Sequence, residues 1–395
     1  MTDRKLRALH VIPSLSAKHG GPSYAVRAMA RALRTADVEV TIATTDDDGD
    51  DARLKVPIGE PVKEDDATVY YFRRDILPYK VSFGLARWLR SNVTRYDLVH
   101  IHALFSFSSA VAGHSAYWAG VPYVVRPLGV LNRYGLENRR PLLKKLSMPL
   151  VENRLLRYSA AIHYTSEAEK REAGGINGEI AEHRSVIIPL PVEQEKGNAN
   201  EFRERFPKVG DGRIVLFLSR LDAKKGIELL LDAFAEASRR VNDVVLVIAG
   251  SGPAGYVQAL EERARQLQIA DRIVWTGHLD GSLKAAALAA TDVFVLPSHS
   301  ENFGIAAAEA LACGVPTIVS DQVAISEDVR ANGAGIVVRA DAHELAGAVQ
   351  RVLNDPELAM RLSVNAKRLA AERYAPGAVG RDLRELYDTI VSGTK

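Results

Sequence analysis

The sequence predicts an α/β protein of two domains, each a doubly wound parallel sheet, and three observations carry that prediction. Short apolar runs alternate with segments of helical period along the chain, which is the pattern of βαβ units. The alternation is interrupted at Ile188-Pro189-Leu190-Pro191 and then resumes. The 395 residues provide length for two hydrophobic cores, at roughly 100 to 200 residues per domain.

In the first half, Ala8–Ile12 reads as a buried strand, a glycine-containing turn follows, and Tyr24–Leu33 has helical spacing with arginines on its other face. Val38–Ala43 is the second strand, and Asp46–Asp51 (DDDGDD) reads as a charged, solvated turn. Val69–Phe72, Leu98–Ile101, Tyr123–Val125, Ala160–His163 and Ser185–Ile188 continue the strands, with helices expected over Phe83–Asn92 and Ser108–Ala119. Two prolines two residues apart suit an extended connector, so the boundary is placed there, giving domains of residues 1–190 and 191–375.

The second half repeats the pattern. Strands are expected at Ile214–Leu218, Val244–Ile248, Ile273–Trp275, Val293–Leu296, Pro316–Val319 and Gly335–Val338. Helices are expected at Gly226–Arg240, Tyr256–Leu267, Gly304–Ala312, Ala342–Leu353 and, after Pro376-Gly377, near Val379–Ile390. Two such domains imply a cleft, and open α/β sheets hold ligands beyond the carboxyl ends of their strands.

Composition narrows the class. Hydrophobic residues are 47% and charged residues 25%, which fits a globular protein and excludes wholesale disorder. The net charge of +2 hides an asymmetry, with 27 Lys/Arg against 21 Asp/Glu in residues 1–190 and 24 against 28 in residues 191–395. No basic excess points to nucleic acid. One cysteine, Cys313, allows no internal disulfide and no four-cysteine zinc site, consistent with a reducing, cytoplasmic setting. The N-terminal apolar run is short and lacks a small-residue cleavage pattern, so no secretory leader is expected, and no uncharged apolar stretch is long enough to cross a bilayer.

Residues 298–316, SHSENFGIAAAEALACGVP, hold the sharpest motif. Glu301 precedes the expected helix and Glu309 lies more than one turn inside it, while the N–H groups of Asn302, Phe303 and Gly304 point out of the helix start toward hydroxyl or phosphate oxygens. Two carboxylates so spaced suit two different polyols. An acid within a helix of small residues is costly to bury without a partner. The second motif, FLSRLDAKKGIELLLDAF at 217–234, sets Arg220 at the end of a strand and Lys225 just before a helix, two cations suited to a diphosphate. The third, Gly20-Gly21-Pro22-Ser23, lets backbone approach a ligand after the first strand. In Val99-His100-Ile101-His102, strand alternation is expected to part the two histidines onto opposite faces, with His102 turned to the cleft. Gly250-Ser251-Gly252-Pro253-Ala254-Gly255 matches a dinucleotide fingerprint, but the strand Ile273–Trp275 ends in Thr276-Gly277-His278 with no ribose-binding acid, so that reading is set aside.

Taken together, these residues resemble the retaining glycosyltransferases of family 4, which have the GT-B architecture of two facing Rossmann-like domains. The resemblance runs nearly end to end, through the Gly20-Gly21 loop, His102, Arg220-x-x-x-x-Lys225-Gly226, Gly250-x-Gly252-Pro253 and the Glu301 to Glu309 spacing. It implies that Glu301 and the Asn302, Phe303 and Gly304 backbone hold the donor sugar, that Glu309 holds the ribose, and that Arg220 and Lys225 neutralise the diphosphate with help from Gly20 and Gly21. His102 is similar to the histidine near the sugar, and Gly277, His278 and Leu279 correspond to the nucleobase region. The resemblance further implies a C-terminal helix, residues 376–395, that crosses back to the first domain. The linker departs from the pattern, reading Ile188-Pro189-Leu190-Pro191-Val192 where many relatives have Pro-Asn-Gly-Val.

The implied reaction transfers a sugar with retention from a nucleotide-diphosphate sugar to a hydroxyl of a glycan or lipid-linked acceptor, with no metal and no other cofactor. Asn138–Tyr158 carries Arg139, Arg140, Lys144, Lys145, Arg154 and Arg157 against only Glu152, interleaved with leucines, a segment suited to an anionic membrane at the inner face. Arg126, at the end of strand Tyr123–Val125, is a candidate for an anionic acceptor or donor phosphate. The segment Arg126-Pro127-Leu128-Gly129-Val130-Leu131 resembles the Pro-Arg-Gly-Met loop of exopolysaccharide relatives, which implies bacterial polysaccharide assembly. Two alternatives share these features: a nucleotide-sugar epimerase of the same architecture, which would turn over donor without acceptor, and a non-catalytic sugar-nucleotide binding protein.

Overall fold

The apolar runs of the first half become the strands of one eight-stranded sheet. The structure is a computed structural model that describes residues 5–49, 51–64, 66–131, 141–176, 180 and 183–393. The chain divides into two units, residues 1–191 with 376–395, and residues 192–375. In the first, chain order is β1 (Leu6–Ser14), α1 (Gly21–Thr35), β2 (Val38–Thr45), β3 (Pro61–Glu64), β4 (Ala67–Phe72), α2 (Phe83–Asn92) and β5 (Leu98–His102). Then come α3 (Phe107–Trp118), β6 (Tyr123–Arg126), α4 (Pro141–Ser147), α5 (Asn153–Arg157), β7 (Ala161–Tyr164), α6 (Glu167–Gly174) and β8 (Ser185–Ile187).

The strand order is β3-β4-β2-β1-β5-β6-β7-β8. Neighbours run parallel except β3, which pairs antiparallel with β4. From β1 the chain winds outward through β2 to β4, and from β5 it winds the other way, so the order reverses between β1 and β5. Loops leaving these two strands part there and open a crevice.

The second unit contains α7 (Ala199–Arg205), β9 (Arg213–Leu218), α8 (Ile227–Ala237), β10 (Val244–Ala249), α9 (Ala254–Gln266), β11 (Ile273–Gly277), α10 (Gly281–Ala289) and β12 (Val293–Leu296). It continues with α11 (Ile305–Cys313), β13 (Thr317–Ser320), α12 (Ser326–Ala331), β14 (Gly335–Val338), α13 (Ala342–Asn354) and α14 (Pro356–Leu369). The sheet is parallel throughout, in the order β11-β10-β9-β12-β13-β14. Its reversal lies between β9 and β12.

The last helix, α15 (Pro376–Gly393), belongs to the first unit. Val379, Leu383, Leu386, Tyr387 and Ile390 recur at helical spacing and pack into one core with Ala8, Ile12 and Val40 of the sheet and Val26, Met29 and Leu33 of α1. Helix starts follow side-chain caps. Ser82, Ser106, Ser166, Asp341 and Asp355 each accept a hydrogen bond from the backbone of α2, α3, α6, α13 and α14 respectively. Among the elements that sequence reading passed over are the helices α6, α7, α10 and α12, the half-exposed β3, and α14, whose Asp355-Pro356 start is a cap followed by proline at the first helical position.

The acidic turn is not the solvated loop expected. Asp46 and Asp47 are buried. Asp47 meets Arg74 Nη1 at 2.5 Å and His19 Nε2 at 2.9 Å, and also contacts Lys80. Asp46 Oδ1 accepts from the Arg74 backbone at 2.7 Å. Asp48 accepts from Ser16 Oγ at 2.6 Å and from Lys18 Nζ at 2.7 Å. Three partners on the 310 turn that precedes α1 are therefore held by the turn after β2. Burial alone would raise the Asp47 pKa, but hydrogen bonds from His19, Lys80 and Arg74 hold the carboxyl well below the usual range.

Because the folded Asp47 pKa is depressed, its contribution to stability is complete above about pH 5 and drains as the pH falls through the folded value. Asp47→Asn removes the buried carboxylate that Arg74 and Lys80 share and should cost about 3–5 kcal/mol at pH 7. Denaturant melts at pH 7 and pH 3 check this: the gap between wild type and variant should narrow at the lower pH.

Candidate active site

In the second unit the two strongest motifs leave the two strands at which the order reverses. Arg220 follows β9 on an exposed loop, and a 310 turn over Ala223–Lys225, capped by the Asp222 side chain, leads into α8. Glu301 lies on the loop after β12. Backbone hydrogen bonds tie these loops to their neighbours: His299 N donates to Lys224 O at 2.8 Å, Glu301 N to Gln322 O at 3.1 Å, and Ala324 N to Glu301 O at 3.0 Å. Across the reversal Lys225 Nζ forms an ion pair with Glu301 Oε2, the lysine side chain nearly buried and the glutamate mostly so. Beside it, Lys224 is pushed to a lower pKa by burial and by the charge of Lys225.

Glu309 is buried in α11, and its partner is Lys284 of α10, whose Nζ lies 2.8 Å from Oε1. Burial raises the carboxyl pKa against the pull of Lys284. For Lys284 burial works the other way, but the Glu309 charge more than offsets it and keeps the ammonium above its ordinary range. Sequence reading demanded a partner for Glu309 without finding one, because the pairing joins separate helices and leaves no local pattern. The only hint is that Lys284 is the single charge in an alanine-rich helix of the same small-residue character.

Asn302 is exposed, Phe303 is buried with its ring edge-on to Tyr374 at 5.7 Å, and Gly304 caps α11 with φ +93°. Phe303 thus uses its side chain for the core, leaving its backbone to the loop. Gly277, the last residue of β11, and His278 are exposed, and Leu279 is buried. Gly277 O accepts from Gly250 N at 2.7 Å. The glycine-rich segment set aside as a dinucleotide fingerprint has a packing role. A Cβ on Gly250 would come within 1.8 Å of Ser219 O, and one on Gly252 within 2.2 Å of Leu221 O. These glycines let the loop after β10 press on the backbone that carries Arg220, where Leu221 N donates to Ser251 O at 2.9 Å.

In the first unit Gly20 has φ +66°, ends the 310 turn and caps α1, and Gly21 is the first helical residue. His102 ends β5, the other strand of the reversal. Two features correct its reading. Residues 100 and 102 are two apart on a strand of period two, so they share a face, and their rings stack with centroids 4.4 Å apart. His102 is moreover fully buried, as are His10, His100 and His163. Backbone strain marks this corner, where Ala103 and Phe105 have φ of +99° and +55°. One nitrogen from each of His10, His100 and His102 lies within 4.8 Å of the others, a grouping with metal-ligand character among the described residues. The rings are already hydrogen-bonded, His10 to His102 directly and His10 and His100 each to Tyr387 Oη.

Arg126, in register with His102 on β6, is buried with its Nη1 against Met29 Sδ at 3.7 Å and its Nε without a partner among the described residues. Burial lowers its pKa to about 10, against the opposing charge of Glu169. Of the basic segment, Arg139 and Arg140 lie outside the described residues. Lys145, Leu146, Leu150, Arg154, Arg157 and Tyr158 are exposed, while Leu155 and Leu156 are buried. No helix among the described residues is long and apolar enough to cross a membrane.

Comparison with known proteins follows the same division. Residues 20–191 match the glycosyl transferase 4-like domain, and residues 198–369 match glycosyl transferases group 1. The chain is 30% identical over 313 residues to the alpha-D-kanosaminyltransferase of Streptomyces kanamyceticus, covering 76% of this chain and 80% of that one. It is 34% identical over 192 residues to a GDP-mannose-dependent alpha-(1-6)-phosphatidylinositol monomannoside mannosyltransferase of Mycolicibacterium smegmatis, covering 47% of this chain and 50% of the relative. Among solved structures, sucrose-phosphate synthase from Thermosynechococcus elongatus superposes with a TM-score of 0.75 at 22% identity, over 98% of this chain and 100% of that one. Anabaena HepE in complex with UDP-glucose gives 0.76 at 18% identity, over 97% and 100%. These likenesses show the GT-B fold, and with the sequence matches they place the chain in the group 1, family 4-type glycosyltransferases.

Proposed function

We propose that the protein moves a sugar, with retention, from a nucleotide-diphosphate sugar to a hydroxyl of a glycan or lipid-linked acceptor in bacterial polysaccharide biosynthesis at the cytoplasmic face of the membrane. The observation that carries this reading is the meeting of Lys225 and Glu301 across the strand reversal, beside exposed Arg220 and the start of α8. A diphosphate entering there exchanges the Glu301 carboxylate for its own oxygens as the partner of Lys225, which frees Glu301 for sugar hydroxyls. Glu309, deeper in α11 and held by Lys284, is then the ribose ligand. The Anabaena relative bound to UDP-glucose and the GDP-mannose-dependent relative support this donor class.

Charge decides the mechanism. Breaking the anomeric C–O bond sends its electron pair to the diphosphate and leaves positive charge on the sugar, so preorganised cations stabilise the transition state more than the ground state. Arg220 and Lys225 take that role. The acceptor hydroxyl attacks on the face the diphosphate leaves, and its proton passes to a donor phosphate oxygen. The cations and helix start supply the electrostatic stabilisation, so the scheme requires no metal.

An acceptor in a lipid headgroup fits the first unit. Leu146 and Leu150, 62% and 61% exposed, lie one helical turn apart, with Arg154 a further turn on and Lys145 alongside. Exposed leucines beside cations favour an anionic bilayer surface. The lipid substrate in the name of the Mycolicibacterium relative is in keeping with this.

Arg220→Ala and Lys225→Ala should each lower kcat by about 100-fold or more in steady-state transfer assays; near-normal turnover by either variant would sink the assignment. In a thermal-shift panel of nucleotide diphosphates and their sugars, the cognate donor should stabilise the protein by about 2.7 kcal/mol at 100 times its Kd. No shift with any nucleotide diphosphate excludes the donor class. In flotation at low salt, the protein should rise with anionic vesicles and remain below with zwitterionic ones, and Leu146→Ser with Leu150→Ser should abolish flotation.

A further inference from the structure

Five side chains in the first unit form one unbroken hydrogen-bonded series. His163 Nε2 lies 2.7 Å from Ile188 O, and His163 Nδ1 lies 3.2 Å from His100 Nε2. His100 Nδ1 lies 2.7 Å from Tyr387 Oη, and Tyr387 Oη lies 3.1 Å from His10 Nε2. His10 Nδ1 lies 3.0 Å from His102 Nε2. The series ends there, because His102 Nδ1 is buried with no partner among the described residues.

One end of the series fixes every proton in it. A carbonyl oxygen only accepts, so His163 carries its proton on Nε2. A neutral imidazole has one N–H, so His163 Nδ1 accepts and His100 Nε2 donates. His100 Nδ1 accepts from the single Tyr387 O–H, whose oxygen accepts from His10 Nε2–H. His10 Nδ1 then accepts from His102 Nε2–H, and a lone pair is left on His102 Nδ1. All four imidazoles must be neutral, and the surroundings keep them so. Burial, with the charge of Arg126 among the lesser causes, lowers His10 and His163 to about 3 and pushes His100 and His102 well below the ordinary value.

We infer that this proton-ordered chain holds His102 as the Nε2–H tautomer and keeps its buried Nδ1, at the carboxyl end of β5, as the bare acceptor for a hydroxyl of the substrate. His10, Tyr387, His100 and His163 are positioning residues, acting through His102. In-register Arg126 offers an unpartnered Nε–H on the same face of the sheet. A sugar hydroxyl can accept from one group and donate to the other, which a phosphate oxygen cannot. Tyr387 ties the series to α15, so the C-terminal helix helps set which nitrogen of His102 carries the proton. The inference rests on the reading in which His102 meets the donor sugar, but the tautomer is measured without any substrate.

The test is nitrogen NMR of the full chain labelled with 15N-histidine, with signals assigned through single His→Gln variants. The wild type should show His102 protonated on Nε2 and bare on Nδ1; a proton on Nδ1 overturns the inference whatever the reaction. Tyr387→Phe keeps the ring and removes the relay oxygen, and should bring a population of His102 with Nδ1–H. It should also raise the donor KM by about 2- to 10-fold, the loss of one hydrogen bond, with a smaller change in kcat. An unchanged His102 spectrum in the variant overturns the chain, and altered tautomers with unchanged donor KM overturn the substrate contact while leaving glycosyl transfer intact. A stoichiometric Zn2+ titration that shifts His10, His100 and His102 together makes the cluster a metal site and overturns the proton order.

Discussion

The reversal of strand order in each sheet is the constraint on which the rest depends. Where a parallel sheet winds both ways from its centre, two adjacent strands send their following loops to opposite sides, and no helix covers the gap between them. In the second unit those strands are β9 and β12, and the Lys225–Glu301 ion pair spans the gap. In the first unit they are β1 and β5, from which the Gly20-Gly21 loop and His102 emerge. Polar side chains elsewhere on these sheets would lie under helices and lack room for a ligand.

Buried charge costs much to maintain, and the protein accepts that cost at few places. Asp47 is buried among Arg74, Lys80 and His19, and with Asp48 it anchors the turn that leads into Gly20. Glu309 is buried against Lys284. Arg126 is buried with the Met29 sulfur near its Nη1 and with no partner for its Nε among the described residues. Replacing such groups with apolar residues of similar size is often neutral or stabilising, so their presence argues for use rather than stability.

Much of the fold could be read locally. The spans Phe83–Asn92, Val293–Leu296 and Gly335–Val338 carry their own periodicity and boundaries and fold as read. Motif spacing likewise put Arg220, Lys225 and Glu301 next to strand ends, because the loops that bear them are short. Readings that failed depended on distant partners. Asp46 and Asp47 looked solvated because Arg74 and Lys80 lie 27 to 33 residues away. The dinucleotide reading of Gly250-Ser251-Gly252 was rightly set aside, but the packing these glycines allow against the Ser219 and Leu221 carbonyls, on the loop after β9, has no local pattern. The opposite-face reading of His100 and His102 misapplied the strand period, since residues two apart on a strand share a face.

By itself the sequence determined the two wound sheets, the break between them and the residue types at the strand ends, because strand and helix periods and proline geometry act within a few residues. The tertiary structure decided the partners: Lys284 for Glu309, Lys225 for Glu301, and Tyr387 between His100 and His10. Such pairings depend on which strands become neighbours and which helix returns to cover them. Strand order in a parallel sheet is settled by crossover winding and core packing over the whole unit, so no local pattern records it.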